Sequence, residues 1–147
     1  MSVDVVTEVE LDASPREVST YAADPDNAPN WYEKIESIEW VTAPPLALGS
    51  KMKFVAHFLG RRLVYTYEVV EYKAGRKLVM RTSQGPFPME TTYLWEKLPG
   101  DRTRMTLRNR GEPTGFSRLM APLMRGAMRR ANEADLRALK ILFEGTR

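Results

Sequence analysis

At 147 residues, with 43% hydrophobic and 28% charged side chains and a formal net charge of +3, the chain suits one domain with a real core and is too short for two. It has no cysteine and one histidine, which excludes disulfide, thiolate and histidine-cluster metal chemistry and leaves only carboxylates as metal ligands. No segment reaches the roughly 18 apolar residues of a membrane span, and the opening MSVDVVTEVELD has acids where a signal peptide needs basic then apolar residues, so the expected compartment is the cytoplasm.

The first segment alternates. Val3, Val5, Thr7, Val9 and Leu11 share one side, and Asp4, Val6, Glu8 and Glu10 the other, which predicts a strand. Asp12-Ala13-Ser14-Pro15 stops it. Ser14 is a good N-cap, Pro15 suits the first helical position, and Glu17 completes a capping box. A short helix from Pro15 to Ala23 then buries Val18, Tyr21 and Ala22. Asp24-Pro25 restarts the pattern for a second short helix, Pro25 to Tyr32.

From Lys34 the chain returns to strand, with Ile35, Ile38 and Trp40 as apolar markers, until Ala43-Pro44-Pro45. In Lys51 to Phe58, Met52, Phe54, Ala56 and Phe58 alternate with Lys51, Lys53, Val55 and His57. That alternation places His57 with the lysines, toward solvent. Gly60-Arg61 turns into Arg62 to Tyr72, where Leu63, Tyr65, Tyr67 and Val69 share a face. Ala74-Gly75 leads to Lys77 to Ser83, which carries Met80, and Gln84-Gly85-Pro86 to Met89 to Leu98. There Met89, Thr91, Tyr93 and Trp95 oppose Glu90, Thr92, Leu94 and Glu96. Pro99-Gly100-Asp101 turns into Thr103 to Arg110, with Met105 and Leu107 apolar. Short turns between successive strands mean an antiparallel meander.

The last stretch, Ser117 to Glu144, follows helical spacing. One face collects Leu119, Met120, Leu123, Met124, Ala127, Met128, Ala131, Ala134, Ala138, Ile141 and Leu142. The other carries Arg118, Arg125, Arg129, Glu133 and Lys140, with Arg130 and Arg137 at the border. Burying about ten such side chains yields roughly 15–30 kcal/mol gross, which ordering the helix consumes. The strands must therefore supply an apolar partner surface. Leu136 and Phe143 fall off the stripe, so they read as exposed and suit a partner or dimer contact. Pro122 conflicts locally with the helix. Either the helix starts near Leu119 with Pro122 in its first turn, or a bend at Pro122 shapes the cavity mouth.

One strand, two short helices, about six meandering strands and a long helix make an α+β protein, a curved antiparallel sheet wrapped around the terminal helix. The segments Val9-Glu10-Leu11-Asp12-Ala13-Ser14-Pro15 with Glu17-Val18, Asp24-Pro25 through Asn30-Trp31, Pro99-Gly100-Asp101 to Thr103, and Asp135 through Lys140 with Glu144 carry a resemblance. The chain resembles the helix-grip fold of the START/Bet v 1-like (SRPBCC) superfamily, whose bacterial members include polyketide cyclase/dehydrase and lipid-transport proteins. The resemblance spans nearly the whole chain, as one helix-grip domain over residues 1–147. Its motifs are structural, so it bears on fold more than on chemistry.

Such a resemblance implies a cavity between sheet and helix that holds a hydrophobic or aromatic small molecule, a lipid, polyketide or similar. The concave side offers Phe54, Phe58, Tyr65, Tyr67, Met80, Tyr93 and Trp95, and the helix offers Met120, Met124 and Met128. Tyrosine and tryptophan bring polar tips, and methionine adapts to varied shapes. A dry core filled by the same aromatics is the alternative. No catalytic residue is assigned: no nucleophile elbow, phosphate loop or metal motif is present, and no spacing marks an acid–base pair. Thr91, Asn109 and the tyrosine hydroxyls are the polar groups expected inside, with Asp135 and Arg81 near the boundary. No cofactor or metal is expected.

Non-covalent binding is the first reading. An aromatase/cyclase-type enzyme is the second. A third is an interaction protein of the quinone-lipid or ribosome-binding kind, using the basic helix face. That face lacks the interleaved aromatics of nucleic-acid binders, so nucleic acid is not an expected partner. Peripheral membrane contact, and monomer against homodimer, stay open.

Overall fold

Strand β1 (Val3–Leu11) ends where the predicted cap begins: Ser14 Oγ accepts the Glu17 amide at 3.2 Å and opens helix α1 (Pro15–Ala22). The structure, a computed structural model, describes residues 3–85, 87–112 and 121–144. Asp24 caps the next segment by accepting the Asp26 amide at 3.0 Å. The expected second helix is broken into a 3₁₀ turn, Pro25–Asn27, and a single α-turn, α2 (Ala28–Trp31). Pro29 cannot donate to the Pro25 carbonyl, as one α-helix running through from Pro25 would require, so the two pieces stay separate.

Six further strands follow: β2 (Ile35–Trp40), β3 (Lys51–Phe58), β4 (Arg61–Lys73), β5 (Lys77–Gln84), β6 (Met89–Leu98) and β7 (Arg102–Gly111). They form one curled antiparallel sheet in the order β1-β7-β6-β5-β4-β3-β2. The β3–β4 turn is Leu59-Gly60, one residue earlier than its glycine suggested. Both residues have positive φ, 51° and 75°, and Phe58 pairs with Arg61. That is the geometry a two-residue hairpin needs to match strand twist.

Helix α3 (Ala121–Glu144) packs beside β1 across the concave face. Its buried residues are Ala121, Met124, Met128, Asn132, Asp135, Leu136 and Leu139, which corrects the predicted stripe. The two agree at Met124 and Met128, then diverge by about one residue. Leu123, Ile141 and Leu142 are each about half exposed, whereas Leu136 is 2% exposed. Phe143 meets the Tyr21 ring edge-on at 5.7 Å. Neither Leu136 nor Phe143 is therefore a free partner surface. The predicted Leu119 and Met120, with the rest of residues 113–120, lie outside the described residues; Pro122 is the second residue of α3.

The interior divides in two. Leu136 and Leu139 pack with Met52, Val69, Leu78, Trp95, Met105 and Leu107. Met124 and Met128 pack with Val3, Val5, Leu63, Tyr65, Phe87 and Met89. Among the described residues no helix is long and apolar enough to cross a membrane.

Candidate functional site

Alternation along each strand sends every second side chain to the concave face, and the sheet's curl keeps those faces from closing fully on α3. A cavity of about 160 Å³ remains. Its floor is Phe54 and Phe58 of β3, Leu63, Tyr65 and Tyr67 of β4, Met80 of β5, Met89, Thr91 and Tyr93 of β6, and Asn109 of β7. Helix α3 contributes Met128, Ala131, Asn132 and Asp135. The α1–α2 region adds Ala22, Ala23, Ala28 and Tyr32, and the β5–β6 turn adds Phe87. Its exposed lining residues, Lys34 and His57, mark the rim. His57 Nε2 lies 2.9 Å from Glu36 Oε2, on the solvent side of β3.

Seven residues singled out from the sequence line this cavity: Phe54, Phe58, Tyr65, Tyr67, Met80, Tyr93 and Met128. Trp95 and Met124 do not; they sit in the packed core on either side of it. Met120 lies outside the described residues. Arg81 points away, its Nη2 2.8 Å from Glu90 Oε2 on the outer face. Sequence reasoning misses Tyr32, Phe87 and Asn132. Tyr32 and Phe87 belong to no strand, and Asn132 is polar on what reads as an apolar helix face.

The aromatic walls meet edge-on or tilted, as ring quadrupoles prefer. Phe54 and Tyr67 are 5.7 Å apart at 80°, Tyr65 and Phe87 5.9 Å at 79°, and Trp31 and Tyr93 5.8 Å at 58°. Tyr65 lies so close to the chain at Gly85 that a Cβ there would come within 2.6 Å of its ring. Glycine at 85 lets that ring settle into the wall.

Two polar clusters interrupt the apolar lining. In the first, Tyr67 hydrogen-bonds the Thr91 side chain. Thr91 Oγ1 donates to Asn109 Oδ1 at 2.6 Å, and Asn109 Nδ2 donates to Asn132 Oδ1 at 3.1 Å. This chain crosses from sheet to helix. In the second, the Tyr32 and Tyr93 hydroxyls share a 2.5 Å hydrogen bond, and Asp135 Oδ1 accepts the Glu33 amide at 2.9 Å.

These surroundings reset the acid–base chemistry. Burial pushes the Asp135 carboxyl up to about 7; the Glu33 charge adds to the rise, and the Glu33 amide and Lys34 oppose it. Burial also drives Tyr67 up to about 12, and Tyr32, Tyr65 and Tyr93 upward as well. The phenols therefore stay neutral, while Asp135 can hold or release a proton near neutrality. Among the described residues no three His, Cys, Asp or Glu side chains group as a metal site.

On the outer face of α3, Arg125, Arg129, Arg130 and Arg137 are at the surface, and Arg129 Nη1 donates to the Val6 carbonyl at 3.3 Å.

A family model described as polyketide cyclase/dehydrase and lipid transport matches residues 2–144. No curated protein matches the chain at a significant level. Among experimental structures, the protein TTHA0849 from Thermus thermophilus superposes with a TM-score of 0.81 at 23% identity, over 93% of this chain and 94% of that one. A START superfamily protein from Mycobacterium smegmatis gives 0.82 at 18% identity, covering 96% and 97%. The Zhui aromatase/cyclase from Streptomyces sp. R1128 gives 0.82 at 16% identity, covering 98% and 94%. At these identities the likeness is one of fold.

Proposed function

The chain belongs to the polyketide cyclase/dehydrase and lipid transport family, and from that premise we propose that it binds a small hydrophobic or aromatic molecule, non-covalently, between sheet and α3. The observation that carries this reading is the cavity itself, an aromatic-walled space of about 160 Å³ with a few convergent polar groups. Apolar walls gain by excluding water, and isolated polar groups fix a ligand's orientation. Size narrows the class, since an apolar cavity of about 150 Å³ admits benzene. A one-ring molecule fits this space as it stands; a longer polyketide needs the rim at Lys34 and His57 to give way.

Titration with toluene, followed by amide NMR, tests the reading. Saturable binding is expected, with shifts centred on Phe54, Tyr67, Tyr93 and Met128. Absence of saturable binding, or shifts scattered over the surface, overturns it.

A catalytic reading has one specific observation in its favour. Asp135, 2% exposed and in the cavity wall with a pKa raised to about 7, is suited to give and take a proton near neutral pH. A neighbour in fold is an aromatase/cyclase, whose chemistry needs such steps. On this reading kcat/KM rises or falls through an apparent pKa near 7, and Asp135→Asn abolishes turnover while leaving toluene binding intact.

A further inference from the structure

Three buried side-chain nitrogens among the described residues have no hydrogen-bond partner: Trp31 Nε1, Trp95 Nε1 and Asn132 Nδ2. Only Asn132 belongs to a residue of the cavity wall. A buried donor left unpaired has given up its hydration without a replacement, so such groups are few and call for a reason. An indole N–H is part of a large apolar ring whose burial offsets that cost. Asn132 has no such compensation, since its side chain is short, 4% exposed and wholly polar at its tip.

The polarity of the network decides what is missing. Asn132 Oδ1 already accepts from Asn109 Nδ2, and Asn109 Oδ1 already accepts from Thr91 Oγ1. Each side-chain amide oxygen along the chain already accepts a hydrogen bond, and an amide donor is left at its helix end. What completes it is an acceptor. Asp135 stands one helical turn further on, on the same face, and also lines the cavity. Its burial and raised pKa make a second anion beside it costly, so the acceptor is a neutral oxygen. The remaining wall is aromatic and sized for about one ring.

We infer that the ligand is a one-ring molecule bearing a neutral carbonyl-type oxygen, seated with that oxygen on Asn132 Nδ2 and its ring against Tyr67 and Phe54. This rests on the binding function proposed above and names the ligand class that cavity selects.

Two probes of the same shape separate the ideas: ethylbenzene, with no acceptor, and acetophenone, with a carbonyl in its place. Calorimetric titration of the whole chain reads both. Acetophenone, the more water-loving of the two, is nonetheless expected to bind at least as tightly as ethylbenzene. Asn132→Leu is expected to lower that acetophenone-to-ethylbenzene preference by roughly tenfold, the worth of one hydrogen bond to a buried donor. In the unaltered chain, the Asn132 side-chain amide protons should move downfield with acetophenone and not with ethylbenzene, a readout that does not depend on the variant folding. Tighter binding of ethylbenzene, an unchanged preference in Asn132→Leu, or an unmoved Asn132 amide overturns the inference and leaves the binding function standing. Binding of neither probe overturns both.

Discussion

The hydroxyl oxygens of Tyr32 and Tyr93 lie 2.5 Å apart, tying the residue that follows α2 to the middle of β6. The Tyr32 ring stacks at a tilt on Trp31, centroids 4.2 Å apart, and Trp31 in turn meets Tyr93. The short α2 turn, too small to be stable alone, is thus held on the sheet by two aromatics and one hydrogen bond. Removing either hydroxyl strands the other in a site where burial already disfavours its charged form. Tyr32→Phe and Tyr93→Phe should each cost about 1–3 kcal/mol. The double variant should cost clearly less than their sum, because the second substitution removes the stranded group. Urea unfolding of the three variants measures this coupling, and additive losses would show that the hydroxyls do not stabilise one another.

Cavity and core predict opposite responses to added bulk. Ala131 lines the cavity, so the ring introduced by Ala131→Phe has somewhere to go. Stability should stay within about 1 kcal/mol of the unaltered chain, while toluene binding disappears. Met124 is 1% exposed and packed against Val3, Val5 and Met89. Met124→Trp should lose roughly 1–3 kcal/mol through overpacking and keep toluene binding in whatever fraction stays folded. Thermal melts and titrations on the pair distinguish the two sites. Equal destabilisation would mean that no space exists beside Ala131.

Strand faces are legible in the sequence because their period is two and nearly every inward residue is apolar or aromatic. Met89, Thr91, Tyr93 and Trp95 alternate cleanly along β6, and all four are buried. What alternation cannot show is position along the strand. Tyr93 and Trp95 share a face, yet only Tyr93 reaches the cavity, while Trp95 is taken up by the packing around Leu136 and Leu139. The helix phase is hidden for a related reason. Asn132 and Asp135 point inward because the cavity region supplies their partners, and a count of apolar residues passes over both. Leu136 then reads as stranded although it is core. Tyr32 and Phe87 enter the site from irregular segments, where no periodicity marks a face.

Two glycines should answer an added methyl group with opposite signs. Gly111 pairs with Val3 on one side and Met89 on the other. A Cβ there would collide with Met89 Sδ and come within 2.8 Å of the Pro88 carbonyl oxygen, which the Glu112 amide already uses at 3.0 Å. Backbone cannot move aside cheaply, so Gly111→Ala should destabilise by about 1–3 kcal/mol. Gly126 lies within α3, where a Cβ would meet, among the described residues, only Arg130 Nη1 at 3.5 Å. Gly126→Ala should gain about 0.5–1 kcal/mol from helix propensity. Denaturation midpoints settle both, and a neutral Gly111→Ala would show that β7 has slack at its end.

Asp135 should make the chain's stability fall as pH rises toward neutrality. Burial raises its carboxyl from an ordinary 3.8 to about 7, so between those values the folded chain holds a proton that the unfolded chain has released. Where the unfolded state binds fewer protons, stability falls as pH rises. This contribution is therefore complete below about pH 4, is lost progressively up to about pH 7, and is flat above. Each pH unit in that window costs about 1.4 kcal/mol. Asp135→Asn keeps an oxygen to accept the Glu33 amide, now bonded at 2.9 Å, and removes the titration. The variant should match the parent near pH 4 and exceed it by a few kcal/mol at pH 8. Urea unfolding of both proteins across pH 4–8 gives the difference directly, without assigning the other titrating groups they share. Parallel curves would mean that Asp135 ionises as readily in the folded chain as in the unfolded one. The carboxyl could then no longer act as a proton donor near neutral pH, and the catalytic reading would lose its one supporting observation.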